Sequence, residues 1–196
     1  MICLVCNRAS IDGLTHPGCV DRYAIDGAFS AINYKGIVKK LIYNFKYKPY
    51  LSDLKNSLVE LFYESIIQNE LFMQTIEQPD NEAVVLVPIP LHRKRLRERG
   101  YNHAKLLAEG LSKKLNLKLL EVLKRTKETK SQFGLKLDER KKNIKGAFIR
   151  NTKYEIHNTI FLVDDILTTG STLLEAANVL KRNGAKKVWG ITLARD

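Results

Sequence analysis

Long hydrophobic runs are what this sequence lacks most clearly, and their absence argues against a membrane-spanning protein. The chain has 196 residues, of which 44% are hydrophobic and 28% charged, as in ordinary globular domains. No apolar stretch approaches the roughly 18 residues that a transmembrane helix needs. The first residues do not form a basic stretch followed by an apolar segment, so no signal peptide is expected. We therefore expect a cytoplasmic protein without membrane insertion, with one main domain and space for a small appendage.

Cysteine is scarce, and all three cysteines lie within residues 1–22. Three thiols cannot all pair as disulfides, and a cytoplasmic protein would keep them reduced. The pattern Cys3-x2-Cys6-x9-His16-x2-Cys19 supplies four ligands in two pairs, which is the spacing of a tetrahedral structural zinc site. A redox Cys-x-x-Cys pair and unligated thiols remain as alternatives. We expect residues 1–22 to form a zinc-binding module and residues 23–196 to form the main domain.

Two common nucleotide-binding motifs are also missing. No Gly-x4-Gly-Lys-Ser/Thr loop occurs, which argues against a nucleoside-triphosphate site, and no Gly-x-Gly-x2-Gly occurs, which argues against a dinucleotide site. Acidic residues are scarce between residues 93 and 150, where 6 Asp and Glu stand against 19 Lys and Arg in a chain of net charge +12. This concentration of positive charge favours a polyanionic partner, either a phosphate-rich small molecule or a nucleic-acid backbone. A solvated basic face is the alternative.

The hydrophobic pattern predicts an α/β fold with a parallel sheet covered by helices. Continuous apolar runs are typical of strands buried on both faces, and apolar residues at helical spacing are typical of helices that pack on a sheet. The predicted strands cover residues 27–34, 83–87, 119–123, 146–149, 160–163 and 188–194. The predicted helices cover residues 36–47, a segment from after residue 50 to about residue 72, and residues 102–115 and 172–183. The polar stretch 124–145 is long for a connection inside a domain, and such loops are usually mobile or functional.

What the sequence does contain is an acidic pair followed by a hydroxyl-rich loop. Asp164 and Asp165 follow the apolar residues 160–163, and the loop leads into a predicted helix. In a parallel sheet, ligands bind beyond the carboxyl ends of the strands, and the N–H groups at a helix N-terminus bind phosphate. The pair therefore offers acceptors for sugar hydroxyls beside a phosphate cradle, whose residues are Thr168, Thr169, Gly170, Ser171 and Thr172. Direct metal binding by the acids and simple helix capping by the hydroxyls are the alternatives.

The segment 161–173 resembles the phosphoribosyl-pyrophosphate signature of type I phosphoribosyltransferases. More of the chain resembles a narrower group, the ComF family of competence-associated proteins, and the matching pieces follow the family's order along essentially the whole chain. Besides segment 161–173, the matching pieces are residues 87–92 and 95–102, Thr129, Gln132, Leu135, Glu139, Arg140, Asn143, and residues 146–148 and 193–195. Family members commonly have cysteine at all four metal positions, so His16 is a conservative departure.

The resemblance implies a type I phosphoribosyltransferase-like core with a small N-terminal zinc module. It implies that Asp164 and Asp165 hold the ribose hydroxyls and that residues 168–172 hold the 5′-phosphate. It also implies that Arg97 and Arg99 bind pyrophosphate, with Mg²⁺ bridging the phosphates of the donor. A mobile loop closes over the site in phosphoribosyltransferases, and excluding water protects the cationic sugar of their reaction. The candidates for that lid here are Lys130, Gln132, Lys136 and Arg140.

Three functions are compatible with these features. The first is a competence protein that binds phosphoribosyl pyrophosphate and handles single-stranded DNA during natural transformation, together with uptake proteins such as a competence helicase. Its basic segment would follow the DNA backbone while aromatic residues such as Phe133 stack on bases. The second is a metabolic phosphoribosyltransferase that transfers phosphoribose to a base or amine. The third is a regulator that senses the donor. The sequence identifies no acceptor pocket, so whether transfer occurs stays open.

Overall fold

The fold is described from a computed structural model, over residues 1–47, 52–77, 84–129 and 137–196. The strands in these residues are β1 (Gly27–Asn33), β2 (Val84–Pro88), β3 (Lys118–Leu119), β4 (Leu123–Arg125), β5 (Phe148–Arg150), β6 (Thr159–Leu167) and β7 (Lys187–Arg195). The α-helices are α1 (Ile37–Tyr47), α2 (Ser52–Ile66), α3 (Glu70–Ile76), α4 (Arg93–Arg99), α5 (His103–Leu115), α6 (Leu137–Ile144) and α7 (Ser171–Arg182). Short 3₁₀ turns lie at Ile11–Gly13 and Pro17–Cys19.

The main sheet is parallel, in the strand order β1-β7-β6-β2-β3. Its central strands are apolar on both faces, because helices cover both sides of a parallel sheet. On β2 and β6, alternate residues enter two different cores. One core contains residues of α1, α2, α3 and α5, and the other contains residues of α7, of the antiparallel pair β4–β5 and of the N-terminal segment. The predicted parallel sheet covered by helices is thus present.

The strand register aligns the carboxyl ends of neighbouring strands at one edge of the sheet. Val163 pairs with Pro88 and with Ile191, so the carboxyl ends of β2, β6 and β7 lie side by side. Farther along, Arg195 pairs with both Leu167 and Asn33, which adds the carboxyl end of β1. The residues that follow these strands therefore surround one crevice.

Most predicted elements are present, but several boundaries differ, and residues 93–99 form a helix that the sequence pattern did not predict. The single helix expected to run to about residue 72 is two helices, because the Asn69 side chain accepts a hydrogen bond from Phe72 N and begins α3. The strand expected at 119–123 is divided into β3 and β4. The polar stretch 124–145 contains α6, so it is not wholly a loop. Residues 48–51, 78–83 and 130–136, which include Lys130, Gln132, Phe133 and Lys136 of the predicted loop, lie outside the described residues.

The N-terminal segment is attached to the chain at and just before the start of β1. Thr15 donates to Ile25 O from Oγ1 at 2.6 Å and to Asp26 O from its N–H at 2.9 Å. Gly13 lies so close to β1 that a Cβ there would be 1.9 Å from Ala28 O, so only glycine fits. The division into a module at 1–22 and a domain at 23–196 stays a prediction. Within the described residues, no helix combines the length and apolar character needed to cross a membrane.

Candidate functional site

The acidic pair lies inside β6 rather than after it. The strand continues beyond the predicted end at residue 163 to Leu167, because its ladder with β7 continues through Asp164 and Thr192 to Leu167 and Arg195. Asp165 is buried with 7% of its surface exposed, and Asp164 is half-buried. The strand backbone therefore fixes the positions of both residues. Of the predicted phosphate-binding residues 168–172, the first three form the loop and the last two lie in the first turn of α7.

The two carboxylates have different partners. Lys46, in the last turn of α1, places Nζ 3.0 Å from both carboxylate oxygens of Asp165. His103, the first residue of α5, places Nε2 3.4 Å from Asp165 Oδ2. Asp164 accepts a hydrogen bond from the N–H of Asp165 at 2.8 Å and interacts electrostatically with Arg125. Asp165 is thus fixed by cationic and imidazole neighbours, whereas Asp164 has fewer.

These surroundings move the two pKa values in opposite directions. Burial, and next the negative charge of Asp165, raise the pKa of Asp164 to about 7. Burial also acts to raise the pKa of Asp165, but the charge and the hydrogen bond of Lys46, together with the charge of Arg99, outweigh it, so this pKa lies below its ordinary value. Near neutral pH, Asp165 is therefore ionised, whereas Asp164 is partly protonated and partly ionised.

The phosphate loop ends where α7 begins, at Ser171. Gly170 has φ 71°, a left-handed conformation that glycine adopts without strain. A Cβ at this position would lie 2.9 Å from Leu4 Cδ2, so the N-terminal segment packs directly on the loop. Thr169 Oγ1 and Ser171 Oγ are 2.9 Å apart and form a hydrogen bond. The loop therefore presents hydroxyls and the N–H groups of the helix N-terminus at the same edge as the acidic pair.

The two predicted pyrophosphate ligands differ in position because residues 93–99 form a helix, α4. Arg97 is exposed, whereas Arg99 places Nη1 2.7 Å from His103 Nε2. Arg95 lies one helical turn from Arg99 and so on the same side of α4. Arg95 donates to Thr129 O at 2.9 Å, and Arg125 donates to Thr129 Oγ1. Burial, and next the charge of Arg95, lower the pKa of Arg125 to about 10.

Sequence reasoning missed three residues of this crevice, namely Lys46, His103 and Arg125. Lys46 and Arg125 come from distant segments, and nothing local in the sequence connects them with the acidic pair. For His103 the sequence did offer a local indication of its place in the crevice, because it lies four residues after Arg99, at the start of a helix. Its neighbour Asn102 caps that helix by accepting from Ala104 N at 3.1 Å.

The four predicted metal ligands are brought together. One ligand atom from each of Cys3, Cys6, His16 and Cys19 lies within 4.8 Å of the others. His16 Nδ1 is 3.2 Å from Cys6 Sγ, while its Nε2 is 2.9 Å from Ala9 O. Donation from Nε2 to that carbonyl leaves Nδ1 free to bind a metal, as is usual for metal-bound histidine.

The chemistry of the thiols also fits a cation. Hydrogen bonding to Cys6, and next burial and the proximity of Cys3, raise the pKa of Cys19 to about 11. Thiols this close resist simultaneous ionisation, and a divalent cation removes that repulsion. Three thiolates and one imidazole are a common ligand set for structural zinc.

Comparison with known proteins agrees with this architecture. The phosphoribosyl transferase domain model matches residues 64–196. The chain is 40% identical to Competence protein F of Haemophilus influenzae over 114 residues, which are 56% of this chain and 50% of that protein. It is 39% identical to Competence protein ComFC of Bacillus subtilis over 119 residues, 60% of this chain and 47% of the relative. It is 30% identical to the DNA utilization protein YhgH of Salmonella typhimurium over 161 residues, 81% and 67% of the two chains.

Together, the parallel sheet, the β6 site and the matching domain define a phosphoribosyltransferase-like protein. The chain belongs to the phosphoribosyl transferase domain family and, within it, to the ComF family. The predicted fold class and the predicted family are both confirmed. The chain spans about half the length of the first curated relatives that it matches.

Proposed function

We propose that this chain binds phosphoribosyl pyrophosphate with Mg²⁺ at the β6 crevice and handles single-stranded DNA in the cytoplasm during natural transformation. The observation that carries the ligand is the position of Asp164 and Asp165 beside the N-terminus of α7. Carboxylates accept hydrogen bonds from ribose hydroxyls, and the N–H groups and hydroxyls of residues 168–172 bind the 5′-phosphate.

The pyrophosphate end of the ligand is assigned to the arginine side of the crevice. Arg99 is held near Asp165 through His103, and Arg95 and Arg125 converge on Thr129. Like charges held together at Arg95 and Arg125 repel in the free protein, and an anion between them relieves this repulsion. Guanidinium groups also match phosphate oxygens geometrically. Arg97, on the exposed side of α4, fits the role less well. Mg²⁺, when bound with the ligand, neutralises part of the pyrophosphate charge.

Structural zinc is assigned to Cys3, Cys6, His16 and Cys19 on the geometry of their ligand atoms. A closed set of four protein ligands leaves no open position for substrate, so the ion would stabilise the N-terminal segment rather than take part in a reaction.

The DNA role is supported by the names of the relatives and by charge. Two relatives are named competence proteins, and others are named for DNA utilization. The excess of Lys and Arg between residues 93 and 150 supplies the cations that a nucleic-acid backbone attracts. Uptake proteins such as a competence helicase are the partners that this role implies.

A second candidate function, transfer of phosphoribose to a base or amine, is favoured by one cavity. A cavity of about 240 Å³ runs along β1 from Ala28 to Asn33 and reaches the carboxyl ends of β6 and β7. Its lining includes Asn33, Leu167 and Arg195, and Leu167 directly precedes the phosphate loop. An acceptor in this cavity would therefore lie beside the sugar.

Calorimetry with phosphoribosyl pyrophosphate and Mg²⁺ tests the ligand. We expect binding by the wild type, and a loss of at least about tenfold in affinity for Asp164→Ala and Asp165→Ala. Glu155→Ala, at a surface carboxylate, is the matched control. Absence of binding by the wild type would remove the phosphoribosyl site altogether.

Fluorescence anisotropy with a labelled single-stranded oligonucleotide tests the DNA role separately. Binding that weakens steeply between about 50 and 200 mM salt is expected. Binding that is absent, or that salt does not weaken, would leave the transfer function, which incubation of the donor with free bases and release of pyrophosphate would then detect.

A further inference from the structure

His103 occupies a position between the two halves of the proposed ligand site. Its Nε2 atom is 2.7 Å from Arg99 Nη1 and 3.4 Å from Asp165 Oδ2. The side chain is buried, with 3% of the residue exposed. It packs edge-on against the rings of Phe45 and Tyr101, each at a centroid distance of 6.0 Å. The imidazole is therefore held in place and has little freedom to choose other partners.

A single nitrogen cannot satisfy both neighbours at once. Arg99 only donates hydrogen bonds, so Nε2 must be unprotonated to accept from it. The carboxylate of Asp165 only accepts, so Nε2 must carry a proton to donate to it. The neutral imidazole thus has two arrangements, one with the proton on Nδ1 and Arg99 bound, and the other with the proton on Nε2 and Asp165 bound.

The neighbours of Nε2 decide between these arrangements. Among the residues that the structure describes, His103 Nδ1 has no hydrogen-bond partner. It is therefore unpaired in both tautomers, as an N–H without an acceptor in one and as a lone pair without a donor in the other. With Arg99 withdrawn, an unprotonated Nε2 would face only the carboxylate of Asp165, so the tautomer with the proton on Nε2 becomes the favoured one.

Full protonation does not resolve this competition at neutral pH. Burial lowers the pKa of His103 to about 4, since it outweighs the opposing charge of Asp165, and the charges of Lys46 and Arg99 act in the same direction as burial. The ring is consequently neutral, and its two tautomers are the states available to it.

We propose that His103 is a positioning residue that couples the pyrophosphate side of the site to the ribose side by a change of tautomer. Without ligand, Nε2 accepts from Arg99. When an anionic pyrophosphate group binds Arg99, the proton on Nδ1 is released to solvent and a proton from solvent binds Nε2. The protonated Nε2 then donates a hydrogen bond to Asp165. Net charge does not change. Asp165, which Lys46 already contacts, thereby gains a second hydrogen bond that adjusts its orientation toward the ribose hydroxyls only when the pyrophosphate is in place. This inference rests on the proposed phosphoribosyl function.

Long-range ¹H–¹⁵N correlation spectra of the imidazole rings distinguish the two tautomers directly. The chain has four histidines, and His103→Gln identifies the signals of His103 by their loss. We expect the Nδ1–H pattern in the free wild type and the Nε2–H pattern with phosphoribosyl pyrophosphate and Mg²⁺. Arg99→Met should show the Nε2–H pattern without any ligand. The same tautomer in all three samples would overturn the inference.

The affinity of His103 variants for phosphoribosyl pyrophosphate provides a second measurement, which distinguishes a hydrogen-bonding role of His103 from a role in packing alone. His103→Phe preserves an aromatic ring but removes both hydrogen bonds, and we expect about tenfold weaker binding of phosphoribosyl pyrophosphate. His103→Gln should regain much of this loss, because its amide offers either an oxygen to Arg99 or an N–H to Asp165. Equal affinities for the wild type and His103→Phe, or equal losses in both variants, would contradict the coupling.

The two proposals fail in different ways. If the wild type binds no phosphoribosyl pyrophosphate, the proposed function fails, and the coupling to this ligand fails with it. If the wild type binds the ligand but Arg99→Met leaves the His103 tautomer unchanged, only the coupling fails. Thermal unfolding of each variant shows whether it folds as the wild type does.

Discussion

The two adjacent acids of β6 differ chemically although they are the same residue type. Asp165 is held ionised by Lys46, whereas Asp164 is left with a pKa of about 7. In the proposed ligand site, the carboxylate of Asp164 is therefore only partly available at neutral pH to accept from ribose hydroxyls. Identical side chains on neighbouring positions of one strand acquire different properties because they contact different elements.

A pH dependence follows from Asp164. We expect the affinity for phosphoribosyl pyrophosphate to increase from pH 6 to pH 8 as Asp164 ionises, and Asp164→Asn to lose that part of the increase. The raised pKa also means that Asp164 favours the fold when protonated, so its contribution is lost as pH rises from about 3.8 to about 7. The free energy of unfolding of Asp164→Asn, relative to the wild type, should therefore increase over this interval.

Calorimetry in matched buffers and urea unfolding at pH 5 and pH 8 measure these two effects. Because the phosphates of the ligand also titrate, the informative quantity is the difference between the wild type and Asp164→Asn. Parallel pH profiles for the two proteins would show that the pKa of Asp164 is ordinary.

Gly170 provides a test of the phosphate loop. Its φ of 71° and its contact with Leu4 both exclude a side chain, so Gly170→Ala should lower the free energy of unfolding by about 1–2 kcal/mol or more and weaken binding of ribose 5-phosphate. Gly146→Ala is a matched control, because Gly146 has φ 68° but no atom within 4 Å of the added Cβ.

Urea unfolding and calorimetry of both variants separate backbone strain from the Leu4 contact. The strain is common to the two glycines, so the larger effect expected at Gly170 is the contribution of the contact. If both variants lose the same stability and both bind ribose 5-phosphate normally, Leu4 does not support the loop.

The short helix α4 shows how one element can redistribute a set of charges. Seven residues rich in arginine form a helix that Gly100 ends with φ 80°. In a loop, any of these arginines could turn toward the crevice. In a helix, residues four apart share one side, so Arg95 and Arg99 point toward contacts with Thr129 and His103 while Arg97 is exposed.

Arg95→Ala and Arg97→Ala therefore form a matched pair. Removing Arg95 should weaken binding of phosphoribosyl pyrophosphate by about tenfold or more, which is the usual cost of one charge-assisted hydrogen bond. Removing Arg97 should change it by less than about threefold, because an exposed charge is screened. Calorimetry at about 0.15 M salt measures both. A larger loss for Arg97→Ala would support the assignment made from the family resemblance.

At the scale of the whole molecule, the N-terminal segment contacts the proposed ligand site. Leu4 lies between two of the proposed metal ligands, is 2% exposed, and packs on Gly170. A change at the metal site can therefore reach the phosphate loop through one side chain. By thermodynamic linkage, any such effect must act equally in both directions.

Removal of the metal tests this contact at the level of the whole fold. We expect a chelator to lower the Tm and to weaken binding of ribose 5-phosphate, and added Zn²⁺ to restore both. Bound ligand should in turn slow the release of zinc to a chromogenic chelator. In Leu4→Ala the metal should still bind, but ligand should no longer slow its release. Unchanged ligand affinity in the metal-free wild type would show that the two sites are independent.

The parts of this protein that follow from sequence are those built from contiguous residues. The β6–α7 segment places Asp164 and Asp165 next to the phosphate loop because strand, turn and helix propensities act over a few neighbouring positions. The spacing of Cys3, Cys6, His16 and Cys19 is likewise a short-range pattern. The hydrophobic pattern predicted the parallel sheet covered by helices, and the family resemblance narrowed it to a phosphoribosyltransferase-like core. Both the fold class and the family are confirmed.

The remaining features depend on packing between distant segments. Lys46 is separated from Asp165 by 119 positions, and no local pattern indicates that α1 brings its last turn to the end of β6. His103 and Arg125 reach the acidic pair only because α5 and β4 pack on opposite faces of the sheet. The sequence alone determines which groups are available for a sugar phosphate, namely an acidic pair and a hydroxyl-rich loop, because residue type and local order follow directly from it. The tertiary structure decides which of them meet and which carboxylate is charged, because burial and long-range contacts control both.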